Sequence, residues 1–358
     1  CSNLKNITLS VRRIGERAFK DCGLVTVTTG SRLVEISNSA FSDCGSLTSM
    51  TLPDSVTSIG ASAFSGCGSL ASVTISSGVT TIAENVFGGC KNLTSVVIPN
   101  SVTSISSSAF SDCPIERITM PISAISFIPL SKLKIVKFTS GDFVDNYIFR
   151  NHGSLESVTL PDGVTSIDEG TFWGCGSLSS VENAKNLISI GKNAFNGCGS
   201  LVTVEIGENV ESIGESAFYG CKSLQEIKIP EYITVINDYT FYGCSSLKSV
   251  EIPDRVVSIC INSFYGCSGL TSVKLGKGVK YIVYNSFNGC GNLNNIEVDA
   301  NNVKFKSIDG DLYSKDADEL VVYARGKTNA EFVVPSSVTS IRSLAFSGCK
   351  NLKSVSIS

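Results

Sequence analysis

Fourteen cysteines and a single histidine are the residues of this chain with the most distinctive chemistry, and their spacing decides what that chemistry is. Cys44, Cys67, Cys90 and Cys113 fall 23 residues apart, and so do Cys175, Cys198, Cys221, Cys244, Cys267 and Cys290. A zinc site needs close pairs such as C-x-x-C. Here the closest pair, Cys260 and Cys267, is seven apart, so neither a metal nor any other cofactor is expected. Cysteines on successive repeats would have Cα atoms about 5 Å apart, but parallel Cβ vectors suit a disulfide dihedral near 90° badly. Cysteine packs well as a small buried hydrophobe, and the expectation is free, dry thiols. His152 sits between Asn151 and Gly153, in the slot 23 residues before Cys175. A catalytic triad needs its histidine beside Ser and Asp in an exposed cleft, and no G-x-S-x-G, H-E-x-x-H, P-loop or G-x-G-x-x-G element is present. No catalytic residue is assigned and no enzymatic activity is expected.

The elements that hold the cysteines repeat with them. Phe41, Phe64, Phe87, Phe110, Phe172, Phe195, Phe218, Phe241, Phe264 and Phe287 each stand three residues before a cysteine. A fixed period between 20 and 50 residues marks a solenoid and overrides domain counting from the 358-residue length. Within the specimen 44–67, Leu47, Met50, Leu52, Val56, Ile59, Phe64 and Cys67 are the recurring apolar positions. The L-x-x-V-x-I part ends in the alternation of a half-buried strand. Pro53, Pro99, Pro161, Pro230 and Pro253 follow that strand and stop its ladder, having no N–H to donate. V-T-S-I reads as a second, shorter extended piece. G-A-S-A-F-S-G-C suits one helical or 3₁₀ turn, closed by glycines such as Gly66, Gly89 and Gly174 that tolerate left-handed φ.

The pattern C-x-x-L-x-x-V-x-I-P-x-x-V-x-x-I-x-x-x-A-F-x-x-C resembles the BspA-like, treponemal-class leucine-rich repeat family. That resemblance implies an α/β repeat solenoid: a right-handed leucine-rich-repeat superhelix with a parallel β-sheet and short helical turns. It also implies surface or secreted proteins of host-associated microbes, several of them adhesins. About fourteen 23-residue rungs over residues 1–358 are expected, as one solenoid with a terminal repeat at 334–358. Both ends run in phase with the repeat and show no polar cap, so a fragment of a longer protein, or edges covered by something else, is expected.

Two breaks interrupt the array. Phe110 to Phe127 is only 17 residues, with Leu130 in the cysteine slot, and residues 115–150 are expected to form an irregular stretch with a local change of curvature and room for a notch. Phe287 to Phe346 spans 59 residues, and the added segment, about 299–333, reads as a projecting β-meander. Its strands are Lys304–Ile308, Asp311–Tyr313 and Leu320–Tyr323, turning at Asp309–Gly310 and Lys315–Asp318. Its acidic residues lack the spacing of a calcium loop.

The exposed columns carry the functional reading. The position after the strand valine becomes Glu182, Glu205, Lys228, Glu251, Lys274 and Glu297 in the C-terminal half, where neighbouring signs can pair. The position after the phenylalanine holds Trp173, Tyr219, Tyr242 and Tyr265, either an aromatic rim of the kind enriched at binding hot spots or a shield packed over the turns at the joint between rungs. These ten residues are the candidate binding site, and residues 172–290 are expected to contribute more than the Ser/Thr-faced N-terminal half. A net charge of −3 argues against nucleic acid as partner, and no apolar run reaches the length of a membrane span. The expected function is an extracellular, cell-surface binding module, adhesin-like, whose partner is a host extracellular-matrix or cell-surface protein, or a glycan. The alternative is a structural spacer within a larger surface protein.

Overall fold

In a computed structural model of the protein, residues 1–128 and 130–357 are described. The side chains of Leu130 and Phe143 lie outside the described set, so the reading of Leu130 as a cysteine substitute falls there too. The chain is a parallel-strand β-solenoid of about 15 coils. Its contacts divide it into two compact units, residues 1–141 with 157–162, and residues 142–156 with 163–358.

The L-x-x-V-x-I segments form the main ladder, in register. In the first unit Val73 faces Val96, Val96 faces Ile118, Ile118 faces Val136 and Val136 faces Val158. In the second, Val250 faces Val273, which faces Ile296. The V-x-x-I pieces form a second parallel ladder, as in Ile36 against Ile59 and Ile167 against Ile190. The alternating apolar side chains of both ladders point inward, and Leu47, Val56, Leu224 and Val256 are fully buried.

The α/β description is not confirmed. Among the described residues the only helical segments are 3₁₀ turns at Ile122–Phe127, Leu130–Lys132 and Ala184–Asn186. The A-F-x-x-C segments are chained turns instead, for two reasons. Residues two before and two after the phenylalanine take left-handed φ, as at Ser62 (58°) and Gly66 (73°), and such residues interrupt a helix every fourth position. The backbone N–H groups there bond along the stack: Phe41 N–H reaches Ala63 O at 2.8 Å, and Phe64 N–H reaches Val86 O at 2.9 Å. A third row of inter-coil bonds thus replaces the intrasegment bonds a helix would need.

The irregular stretch keeps the main ladder through Arg117–Met120 and Ile135–Phe138, while the Ile122–Phe127 turn buries Ile122, Ala124 and Ile125. A notch of about 350 Å³ lies beside it, lined by Phe110, Cys113, Pro114 and Lys132 among others. The insertion forms the expected meander: Phe305–Ile308, Asp311–Ser314 and Glu319–Val322 run antiparallel, with left-handed φ at both Asp309 and Gly310 in the two-residue turn. It does not project. Its third strand joins Ser340–Ile341 in parallel, Leu312, Tyr313 and Tyr323 are buried, and buried Asn302 donates to Gly276 O and Val279 O of the stack while accepting from Lys304 and Phe305 N–H.

Candidate functional site

The interior columns come first, because they decide what is left for recognition. The phenylalanine rings stack coil on coil, from Phe19 to Phe110 in the first unit and from Phe149 to Phe287 in the second. Neighbouring centroids are 5.2–5.6 Å apart and the planes within 18°. Beside them the cysteines are free and donate. Cys67 Sγ gives its proton to Phe41 O at 3.2 Å, Cys175 to Phe149 O at 3.0 Å and Cys290 to Phe264 O at 3.1 Å, each 26 residues back, and Cys44 to Phe19 O 25 residues back. Each phenylalanine carbonyl so bonded also accepts the backbone N–H of the residue three further on in its own coil, Cys44 for Phe41 and His152 for Phe149. Burial pushes the thiols of Cys67, Cys175 and Cys244 up to about 12, so the protonated donor is the stable form. Sequence reasoning treated these cysteines as hydrophobes and missed the donor role. The constant offset between cysteine and phenylalanine was the signal for it.

His152 is half-buried and packs edge-on against Phe149, its centroid 6.3 Å away. Where the next cysteine after Cys290 is displaced by the insertion, Arg325 takes over. It is 3% exposed and gives one guanidinium hydrogen bond to Phe287 O at 2.8 Å. It gives others to Leu344 O at 2.9 Å and to Ser347 O.

The aromatic rim separates into two arrangements. Tyr219, Tyr242 and Tyr265 stack on one another at 4.6 and 5.0 Å with planes within 7°, half-buried, so each inner face is already covered by a neighbour. Trp173 does not join them. Arg150 lies 4.4 Å over its ring and 5.5 Å over that of Tyr147, whose hydroxyl donates to Glu169. The charge column separates as well. Lys274 pairs with Glu251 at 2.5 Å, as the in-register stack predicts, but Lys228 turns to Glu208, outside the column, at 2.8 Å. Glu297 accepts from Asn295, and Glu205 is exposed.

Part of that column lines depressions. The main ladder lapses between Ser180–Glu182 and Ser249–Ile252: residues 203–206 and 226–229 are not strand-paired, and Ile206 N–H turns back to Val204 O at 3.0 Å. A depression of about 620 Å³ lies over this gap, lined by Glu205, Glu226, Lys228 and Glu251 among others. An adjoining one of about 360 Å³ is lined by Ile206, Glu208, Asn209, Lys228, Pro230, Glu231, Tyr232 and Arg255. Tyr232 is 46% exposed, and the Arg255 guanidinium stacks over its ring at 4.9 Å. Neither residue was singled out from sequence. Their column otherwise reads Arg32, Ser55, Gly78, Ser101, Gly163, Asn186, Asn209 and Gly278, so a large aromatic beside a cation on adjacent coils stood out within it.

Stacked coils with in-register parallel ladders and an L-x-x-V-x-I consensus define a leucine-rich-repeat protein. The chain belongs to the BspA type leucine rich repeat region family, whose sequence model matches residues 12–132, 142–259, 234–315 and 323–358 in six copies. That family is one of repeat proteins not generally enzymatic. Among solved structures, a leucine-rich repeat protein from Bacteroides ovatus is 28% identical over 90% of this chain and 82% of its own, with a TM-score of 0.49. A leucine rich cell surface protein from Faecalibacterium prausnitzii is 29% identical over 83% and 79%, with a TM-score of 0.35. The leucine-rich repeat protein of T. pallidum is 25% identical over 62% and 79%, with a TM-score of 0.31. No curated protein matches the chain.

Proposed function

We propose that this protein is a cell-surface recognition module that holds a protein partner against the second unit, at the depressions over residues 203–255. The observation that carries the reading is the Tyr232–Arg255 pair: an exposed aromatic under a stacked guanidinium, on an apolar floor of Ile206 and Pro230, ringed by Lys228, Glu208 and Glu231. Tyrosine and arginine are the side chains enriched where binding energy concentrates, and flanking charges of both signs select among partners. A solenoid of this register presents such groups on a rigid frame, so little ordering is lost on binding. Glu205, Lys228 and Glu251 belong to this surface, with Lys274 at its far edge. The stacked tyrosines and Trp173 shield the turn face, their rings being covered by each other and by Arg150. Membership in a family with a cell-surface relative supports an extracellular location.

The test is a binding screen of the full chain against purified extracellular-matrix proteins and a glycan array, followed by variants against the strongest hit. Tyr232→Ser with Arg255→Ser weakens binding tenfold or more, while the triple Tyr219/Tyr242/Tyr265→Ser change weakens it less. Equal binding by the Tyr232/Arg255 variant overturns the placement. Absence of any protein or glycan hit for the full chain favours the spacer reading.

A further inference from the structure

The first two coils carry a surplus of positive charge. Residues 1–34 hold six cations (Lys5, Arg12, Arg13, Arg17, Lys20 and Arg32) against two carboxylates (Glu16 and Asp21), although the whole chain is at −3. Lys5 donates to Ser2 O, and three of these cations are matched by carboxylates: Arg13 pairs with Glu35 at 3.1 Å, Arg17 with Glu16 at 3.7 Å and Lys20 with Asp43 at 3.7 Å. Arg12 and Arg32 are not. Both are exposed, neither lies in an ion pair among the described residues, and with Ser10 and Val34 they line one depression of about 400 Å³. The other four depressions described on the surface each include at least one carboxylate, and this one includes none.

The backbone brings the two arginines together. Arg12 O accepts from Val34 N–H at 2.9 Å and Glu35 N–H at 3.3 Å, which fixes Arg12 against the coil that carries Arg32. Two guanidiniums leaving adjoining coils into one concavity repel each other unless an anion lies between them. A planar fork of N–H donors matches the oxygens of a tetrahedral oxyanion, and the Ser10 hydroxyl supplies one more donor. We infer that Ser10, Arg12 and Arg32 form an anion-binding site for a sulfate or phosphate ester carried on an extended polyanion. The polymer form follows from the surplus of positive charge around the site, which raises the local concentration of a long anionic chain more than that of a single ion. The site lies in the first unit and does not depend on the protein-binding surface of the second.

The experiment measures anisotropy of fluorescein-labelled heparin and of labelled polyphosphate against the full chain over a sodium chloride series. Arg12→Ser with Arg32→Ser is compared with a control of equal charge change, Lys91→Ser with Lys350→Ser, both exposed lysines elsewhere. Without the two guanidiniums to neutralise the polyanion, the slope of log affinity against log salt falls by about 1.5 in the arginine variant, and the control keeps the parent slope. Heparin responding alone identifies a sulfate ester as the source, polyphosphate alone a phosphate ester. Equal slopes for parent and arginine variant, an equal loss in the lysine control, or no binding of either probe overturns the proposal.

Discussion

Replacing Phe218 by Ala tests whether the protein behaves as a one-dimensional stack. Phe218 is fully buried, with Phe195 at 5.2 Å on one side and Phe241 at 5.5 Å on the other. Removing a buried ring costs about 3–5 kcal/mol through lost transfer energy and the cavity left behind. Each stacked pair adds about 0.5–1.5 kcal/mol beyond burial, so the two faces place the loss toward the upper end. Phe218→Leu separates the parts: it keeps most of the burial and loses both stacks, for an expected cost of about 1–3 kcal/mol. Native-state hydrogen exchange reads the outcome. The amides tied to this coil, Phe195 N–H to Ala217 O at 2.8 Å and Phe218 N–H to Thr240 O at 2.9 Å, should exchange faster in the Ala variant. Amides of the first unit, from Phe19 to Phe110, should keep their parent rates, because each coil contacts only its neighbours. A uniform rise over the whole chain, or equal costs for Ala and Leu, refutes the reasoning.

Two further outcomes follow from the interior columns. At pH 8 a thiol of pKa 12 is ionised about a thousandfold less than one of pKa 9, so Cys67, Cys175 and Cys244 should resist iodoacetamide in the native protein while exposed Cys1 reacts, as mass spectrometry would show. Their folded pKa values lie above the ordinary thiol value of 9.0, so the native state holds protons that the unfolded state releases. Stability is therefore full below pH 9 and falls by about 1.4 kcal/mol per pH unit for each such thiol between 9 and 12. A circular-dichroism stability series that stays flat to pH 11 contradicts this. Arg325→Met removes the donors to Phe287 O, Leu344 O and Ser347 O. One buried and two part-buried acceptors losing a charged donor should cost about 2 kcal/mol or more, with fraying confined by hydrogen exchange to residues beyond 287; a loss below about 1 kcal/mol would mean water replaces the guanidinium.

The repeat was legible because every apolar position recurs at one offset: Leu47, Val56 and Phe64 each name an interior column, and the ladders place them there. The turns were less legible. A stretch such as G-A-S-A-F-S-G-C has the composition of a short helix, and only its hydrogen bonds to the next coil, which no single repeat contains, rule the helix out. The meander's strands and its Asp309–Gly310 turn were readable from local chemistry. Its burial was not, since that depends on which coil lies beneath. Among candidate site residues, Lys228, Glu205 and Glu251 were singled out by their column, and all three line the depression over residues 203–206 and 226–229. The tyrosine rim was visible but not its self-stacking, and Tyr232 and Arg255 sat in a column of otherwise mostly small residues that was not read.

The 26-residue reach of the thiols has a bearing on copy number. Within the regular runs, from Cys44 to Cys113 and from Cys175 to Cys290, each coil sends its thiol to the coil before, so each unit of a run presents the same donor on one side and the same acceptor on the other. Deleting or duplicating one 23-residue unit within such a run, from one cysteine to the next, leaves each carbonyl of the run with the donor it had. A cut at any other length leaves one acceptor facing nothing, and the insertion after Cys290 shows the remedy such a cut demands: a long side chain, Arg325, that spans the gap from 38 residues away. Arrays of this kind can therefore change length in whole units without redesign, and each fractional change must bring its own connector.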